Sequence, residues 1–259
     1  MITSLSNPLV KQARALRQRK TRLETGLFLV EGIHHVGEAV EAKWQIETIF
    51  HAPDLLTSEF ARTLLDRAGQ LRLRLQPVSM QVMGSLADKE NPQGLLAIVH
   101  QKQTQLEGLK QIRTAAAVVS PQDPGNVGTI LRTLEAVDAD ALFLLDGGVE
   151  PYHPTAVRAS MGSLFWIPII QTSFAEFSAW ARGGGCQLIG TSAHAAVDYH
   201  TLAPHSPWIL VLGNEQKGLS PEQSLACDAT VSLPMRGRVS SLNLAVAAGV
   251  LLYQFTHAT

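Results

Sequence analysis

Apolar residues in the second half of the chain cluster in short runs, unbroken at 115–119, 141–145 and 209–212 and interrupted by a polar residue or proline at 165–170, 187–190 and 230–233. Between these runs they recur at helical spacing, as at Ile130, Leu131, Leu134 and Val137. Continuous apolar strands alternating with helices predict a parallel sheet covered on both faces. The last helix carries apolar residues at Leu242, Val246, Val250 and Tyr253, with Ser240 or Ser241 placed to cap it. In the first half, residues 28–30 and 46–50 read as short buried strands and residues 34–42 and 59–68 as helices. Residues 93–100 supply a further strand, opened by the turn signal Asn91-Pro92. The polar run at residues 101–105 then interrupts the pattern. The expected organisation is α/β throughout: a smaller domain over 1–100, a linker over 101–113 and a parallel-sheet domain over 114–259.

Three polar loops in the second domain share one design, apolar strand followed by turn and helix. The first runs Ser120-Pro121-Gln122-Asp123-Pro124-Gly125-Asn126 and on to Gly128 and Arg132. The second is Gly213-Asn214-Glu215-Gln216-Lys217-Gly218, and the third runs from Leu233-Pro234-Met235 to Ser241-Leu242-Asn243. Ligands of parallel α/β sheets bind where loops leave the carboxyl ends of strands, so the three loops predict one composite site. Taken alone, each residue has a blander reading: Arg132 as a surface charge on a helix, Glu215 as a loop carboxylate facing water, and Leu233, Met235 and Leu242 as core. Asp146-Gly147-Gly148 after an apolar strand is a faint Rossmann signal that lacks the full glycine fingerprint.

The patterns N-x-G-x-x-x-R, G-N-E-x-x-G and L-P-M…S-L-N, in this order, resemble the three signature motifs of the SpoU/TrmH-type RNA 2'-O-ribose methyltransferases of the SPOUT superfamily. Asn7-Pro8, Lys11 and Phe28-Leu29-Val30-Glu31-Gly32 resemble that family's small substrate-binding domain, similar in fold to ribosomal protein L30e. The resemblance implies a deep trefoil knot near the C-terminus, a homodimer formed through the C-terminal domain, and S-adenosyl-L-methionine as cofactor. It implies catalytic roles for Asn126, Arg132, Glu215, Ser241 and Asn243, and cofactor contacts at Gly213, Leu233, Met235 and Leu242. Glu215 is expected to orient Asn126 or Arg132. A guanidinium does not deprotonate readily, so Arg132 is expected to pin a phosphate and stabilise a developing 2'-oxyanion rather than act as a base. The sequence departs from the family pattern at Ser240, where Glu is common, and at Asp138, where Gly is frequent.

Composition changes this picture little. Net charge is −1 and the pI about 6.8, so no bulk basic field announces a nucleic acid. Charge is instead local: Lys11, Arg14, Arg17, Arg19, Lys20 and Arg22 all precede the first acidic residue, Glu24. That segment is either a solvated helix face or a phosphate-contacting arm. Lys11, Arg14, Arg17 and Arg22, with Arg158, are the candidate RNA contacts. Cys186 and Cys227 have no paired spacing, and the histidines show no metal pattern, so neither disulfide nor metal site is expected. No leader opens the sequence and no apolar run approaches about 18 residues, which predicts a cytoplasmic protein without a membrane span. The expected reaction is methylation of a ribose 2'-hydroxyl in structured RNA, 23S rRNA before tRNA. The rival from another class is a catalytically silent RNA-binding or ribosome-assembly protein.

Overall fold

The computed structural model describes residues 1–87, 92–109 and 111–258, so Asn91 of the expected turn lies outside the described residues. In chain order the helices are α1 (Pro8–Ala15), α2 (Arg19–Thr25), α3 (Ile33–Glu41), α4 (Glu59–Gln70), α5 (Met80–Leu86), α6 (Pro124–Ala136), α7 (Pro154–Ala159), α8 (Phe174–Gly183), α9 (Pro221–Leu225) and α10 (Leu244–Ala258). The strands are β1 (Leu27–Glu31), β2 (Ile46–His51), β3 (Leu75–Pro77), β4 (Leu95–His100), β5 (Thr114–Val119), β6 (Ala141–Leu145), β7 (Ile169–Thr172), β8 (Gln187–Thr191), β9 (Val197–Asp198), β10 (Trp208–Leu212) and β11 (Ala229–Ser232). Two compact units form: Met1–Lys102 with Tyr152–Phe165, and Gln103–Pro151 with Trp166–Thr259.

The first unit has a mixed sheet in the order β1-β4-β2-β3, with β4 antiparallel to both neighbours and β2 parallel to β3. Helix α1 begins with Pro8 behind Asn7, whose side chain caps it by accepting from the Leu9 N–H at 2.9 Å. Its buried Val10 and Ala13, with Leu16, join the core formed with Val82, Met83 and Leu86 of α5. The basic segment is therefore two folded helices rather than a detachable arm. Phe28 of β1 packs against Trp44, Tyr152 and Phe165, and the Trp44 indole N–H donates to the Phe165 carbonyl at 2.9 Å. The strand expected over 165–170 is corrected accordingly: residues Ser163–Phe165 form a 3₁₀ turn, and β7 starts only at Ile169, after Pro168, which has no N–H to donate. An apolar run signals burial, and here part of that burial is aromatic packing instead of a sheet ladder.

Tyr152 closes this cluster, donating its hydroxyl to the Lys102 carbonyl at 2.6 Å and accepting from the Lys102 N–H at 3.1 Å. Burial pushes its phenol up to about 12, opposed by the hydrogen bond to the Lys102 backbone. The folded state then holds the proton more tightly than the unfolded chain does. Its contribution is complete below about pH 10 and is lost as pH rises towards 12, an effect worth roughly 2–3 kcal/mol. Tyr152→Phe should remove this loss along with two hydrogen bonds. Urea unfolding at about pH 9 and about pH 11.5 should show a smaller alkaline drop for the variant, and equal drops would refute the assignment.

The second unit is a parallel sheet in the order β7-β6-β5-β10-β8-β11-β9, as the apolar runs predict. The two-residue strand β9 was not anticipated, because two residues carry no readable period. Ala115, Ala117, Phe143, Ile209 and Val211 lie on one face against Phe177 and Ala181 of α8. Helix α10 packs on α6 and β10, burying Ala248, Leu251, Leu252 and Phe255. Asp138, just past α6, adopts φ 53, a left-handed conformation that glycine takes without strain.

Candidate active site

Strands β5 and β10 are parallel neighbours with Val118 opposite Leu212, so the loops leaving their carboxyl ends open side by side. In the first loop, the Ser120 N–H donates to the Leu145 carbonyl at 2.8 Å and its hydroxyl donates to the Asp146 carbonyl at 3.0 Å. Gly148 permits a close approach, since a Cβ there would stand 2.4 Å from the Pro121 carbonyl oxygen. The Val149 N–H donates to that same oxygen at 2.9 Å. Asp146-Gly147-Gly148 thus buttresses the first loop. Asp123 then caps α6, its Oδ1 accepting from the Gly125 N–H at 2.7 Å, with Pro124 in the first turn where its missing donor is harmless.

The second loop is folded by Asn214, a residue that the sequence reading passed over. Its backbone exchanges hydrogen bonds with Gly218, and its Oδ1 accepts from the N–H groups of Gln216 (3.0 Å) and Lys217 (3.1 Å). Its Nδ2 donates to the Ser120 carbonyl at 2.8 Å, tying the second loop to the first. The available signal was an Asn beside glycines, a local turn former. Gly213 is buried, and a Cβ on it would stand 2.3 Å from the Gly218 carbonyl carbon, so only glycine lets this turn close.

Glu215 does not simply face water. Its carboxylate accepts from the Gln122 N–H at 3.1 and 3.0 Å, the Asp123 N–H at 3.2 Å and the Asn126 Nδ2 at 3.3 Å. This puts a negative charge beside the N-terminus of α6, where the helix dipole favours it. Asn126, 6 % exposed, accepts at Oδ1 from the Asn243 Nδ2 at 2.9 Å. A carboxylate can only accept, so the Asn126 amide nitrogen must face Glu215 and its oxygen must face Asn243. The Asn243 Oδ1 in turn accepts from the Ala245 N–H at 2.9 Å and the Val246 N–H at 3.3 Å. The cap of α10 is therefore Asn243, correcting the expectation of Ser240 or Ser241; both serines are exposed, and Asn243 directly precedes Leu244.

One polar chain, Glu215–Asn126–Asn243, thus joins all three loops. Arg132 stands exposed on α6 and, among the described residues, has no hydrogen bond or ion pair, so Glu215 orients Asn126 and does not contact Arg132. Leu233 and Met235 are partly buried, while Ser241 and Leu242 are exposed. Among the described residues, 233–242 take part in no backbone hydrogen bond outside helices and strands. A loop with open N–H and carbonyl groups beside exposed Leu242 and Val239 suits a ligand with a hydrogen-bonding, flat apolar moiety such as adenosine. The donor set therefore fits S-adenosylmethionine.

The remaining candidates belong to the first unit. Lys11 is exposed and Arg14 partly buried, while exposed Arg17 donates to the carbonyls of Leu86 and Ala87. Arg22 is 1 % exposed, and its Nη1 donates to the carbonyls of Leu16 at 2.8 Å and Arg17 at 2.7 Å. Arg22 is thus a structural residue closing the α1–α2 turn, a correction to its reading as a phosphate contact. Arg158 lies on α7 and is exposed. Cys186 and Cys227 are free thiols, and burial, followed by the charge of Asp228, pushes Cys227 up to about 11, which keeps it protonated and unreactive at neutral pH. Among the described residues, no group of His, Cys, Asp and Glu could hold a metal, and no helix is long and apolar enough to cross a membrane.

Comparison with known proteins agrees with this arrangement. The model of the SpoU rRNA Methylase family matches residues 113–253, and that of an MRM3-like substrate binding domain matches residues 7–97. The chain is 32% identical over 261 residues to a 23S rRNA (uridine(2479)-2'-O)-methyltransferase of Streptomyces viridochromogenes, covering 98% of this chain and 90% of that one. It is 28% identical over 252 residues to the 23S rRNA (guanosine(2553)-2'-O)-methyltransferase RlmP of Bacillus subtilis (strain 168), covering 97% of each. The crystal structure of an AdoMet-bound rRNA methyltransferase from Sinorhizobium meliloti superposes with a TM-score of 0.89 at 34% identity, over 99% of this chain and 97% of that one. The conclusion from motifs, loop geometry and relatives together is that this chain belongs to the SpoU rRNA Methylase family.

Proposed function

We propose that the protein transfers a methyl group from S-adenosylmethionine to a ribose 2'-hydroxyl of structured RNA, with 23S rRNA as the substrate. The observation that carries this reading is the Glu215–Asn126–Asn243 chain, which fixes three strand-end loops around one site in a chain of this family. The names of its relatives support 23S rRNA. When bound, S-adenosylmethionine supplies an electrophilic methyl group on a positively charged sulfur. Gly213, Leu233, Met235 and Leu242 hold its adenosine through backbone groups and apolar contact. Arg132, with its planar guanidinium fork, grips a phosphate next to the target ribose and stabilises negative charge growing on the 2'-oxygen. Ser241 lies with Asn243 at the start of α10 and hydrogen-bonds the hydroxyl. Fixing nucleophile and methyl in line supplies much of the acceleration. Incubating the full chain with labelled S-adenosylmethionine and transcribed 23S rRNA, then mapping by primer extension at low dNTP, tests the reading. A stop at one ribose supports it, and no cofactor binding at millimolar concentration overturns it.

The division into a substrate-binding domain over 1–100, a linker and a catalytic domain over 114–259, whose residues 152–165 pack in the first unit, is part of the same proposal, as are a trefoil knot and a cytoplasmic site of action. Support for the knot comes from the return of the chain from β11 past β8 to pack α10 on α6 and β10. A homodimer through the second unit is also proposed. Val246, Val250 and Tyr253 form an exposed stripe at helical spacing on α10, opposite its buried face. Light scattering should give about twice 28.0 kDa, and Val250→Glu should lower it towards 28.0 kDa. A wild-type monomer with full activity would refute the dimer.

A further inference from the structure

We propose that Arg236 and Arg238, in the third loop, grip two neighbouring phosphates of the RNA strand that carries the target ribose. The proposal rests on the RNA methyltransferase reading and adds to it the groups that hold the strand at the site. The second unit is acidic: its residues 103–151 and 166–259 hold seven Lys and Arg against twelve Asp and Glu, a formal charge of −5. Such a surface repels a polyanion unless cations are concentrated where it docks.

The cations are distributed in that way. Arg113, directly before β5, is neutralised by ion pairs, its Nη2 lying 3.2 Å from the Asp138 Oδ2 and 3.3 Å from the Asp140 Oδ1. Arg182 occupies the last turn of α8, where the helix dipole favours a cation. Both stand towards the amino ends of the strands, away from the site, and Lys110 lies outside the described residues. The other four, Arg132, Lys217, Arg236 and Arg238, all lie on the three site loops and the helix that the first of them opens. All four are exposed, and among the described residues none has a hydrogen bond or ion pair from its side chain.

The third loop has the least to neutralise it. From Ala229 to Thr259 the sequence contains no Asp or Glu. Glu215 and Asp123, acids of the other two loops, turn their carboxylates onto backbone N–H groups instead. Arg236 and Arg238 stand two residues apart, a span of at most about 7 Å, so they reach adjacent phosphates of one strand rather than distant ones. Each guanidinium fork matches the oxygens of a phosphate. S-adenosylmethionine is a poor match for the pair, because it brings one carboxylate together with a positive sulfonium and ammonium.

The test measures binding of the full chain to a 23S rRNA transcript at several salt concentrations. Two phosphate contacts contribute about 1.4–1.8 to the slope of log affinity against log salt, so the double variant Arg236→Ala/Arg238→Ala should flatten the slope by that much. Its affinity at about 0.1 M salt should fall roughly 30-fold. Arg236→Lys/Arg238→Lys keeps two cations and should retain most of the slope, which a merely structural role would not require. S-adenosylmethionine affinity should be unaltered in both, because the loop offers the cofactor its backbone groups and these remain. Arg182→Ala removes an exposed cation away from the site and should leave the slope unchanged; an equal flattening there would overturn the assignment to the third loop. A lost cofactor affinity with an unchanged slope would give the two arginines to the cofactor and overturn the grip. Methyl transfer is measured on the same samples. Transfer by wild-type protein, with the double Ala variant binding RNA at wild-type affinity and slope, overturns the grip alone. A flattened slope without transfer by wild-type protein overturns the methyltransferase reading and supports the grip.

Discussion

Arg132→Ala is expected to cut methyl transfer about 10²–10³-fold, the loss typical of removing one group that stabilises developing negative charge, while leaving S-adenosylmethionine affinity unchanged. The asymmetry follows from position. Arg132 is exposed on α6 and, among the described residues, holds no other group in place, so deleting its side chain disturbs neither the Glu215–Asn126–Asn243 chain nor the open backbone of the third loop. Thermal stability should barely move, as for surface substitutions in general. Arg132→Lys keeps the charge but loses the planar fork, and should recover little activity. Single-turnover transfer to the transcript, with calorimetric titration of the cofactor, separates the two effects. Near wild-type turnover in Arg132→Ala would remove Arg132 from the mechanism, and a parallel loss of cofactor affinity would make it a structural residue.

The features legible in the sequence were those written in periodicity and turn chemistry. Residues 141–145 read as a strand because five apolar residues end at Asp-Gly-Gly, and β6 has those bounds. The loops after β5 and β10 were recognisable from Pro-Gly and Gly-Asn signals, but their adjacency depends on sheet order, which no local pattern encodes. Residues 152–165 lie in sequence inside the predicted second domain and pack in the first unit, through contacts such as Trp44 to Phe165. Hydrophobicity cannot announce that choice, because a buried Phe has the same appearance in either core. Arg22 misled for the opposite reason: in a run of six cations it looks like its neighbours, and only the fold shows its guanidinium turned onto backbone carbonyls. Asn243 was expected as a site residue and is also a helix cap, a pairing visible only once α10 is seen to start at Leu244.

Glu215→Ala should have a different signature from Arg132→Ala, because its carboxylate serves donors on the neighbouring loop. Removing it strips acceptors from the N–H groups of Gln122 and Asp123 and from the Asn126 amide. Each hydrogen bond to a charged group contributes about 1.5–3 kcal/mol, and water can reach this loop, so the expected total is near the low end, roughly 2–3 kcal/mol. For a unit of this size that lowers the melting temperature by a few degrees per kcal/mol. Cofactor affinity and transfer should fall together, since the freed second loop no longer holds the turn at Gly213 in register with Asn126. Glu215→Gln should be intermediate: one oxygen remains as acceptor, but its new amide donor cannot pair with the Asn126 amide. Combining Glu215→Ala with Asn243→Ala should cost less than the two losses added, by about 0.5–3 kcal/mol, because both act on the single buried amide of Asn126. Strict additivity in unfolding experiments would show that the three loops are held independently, and the polar chain would then lose its place as the organising element of the site.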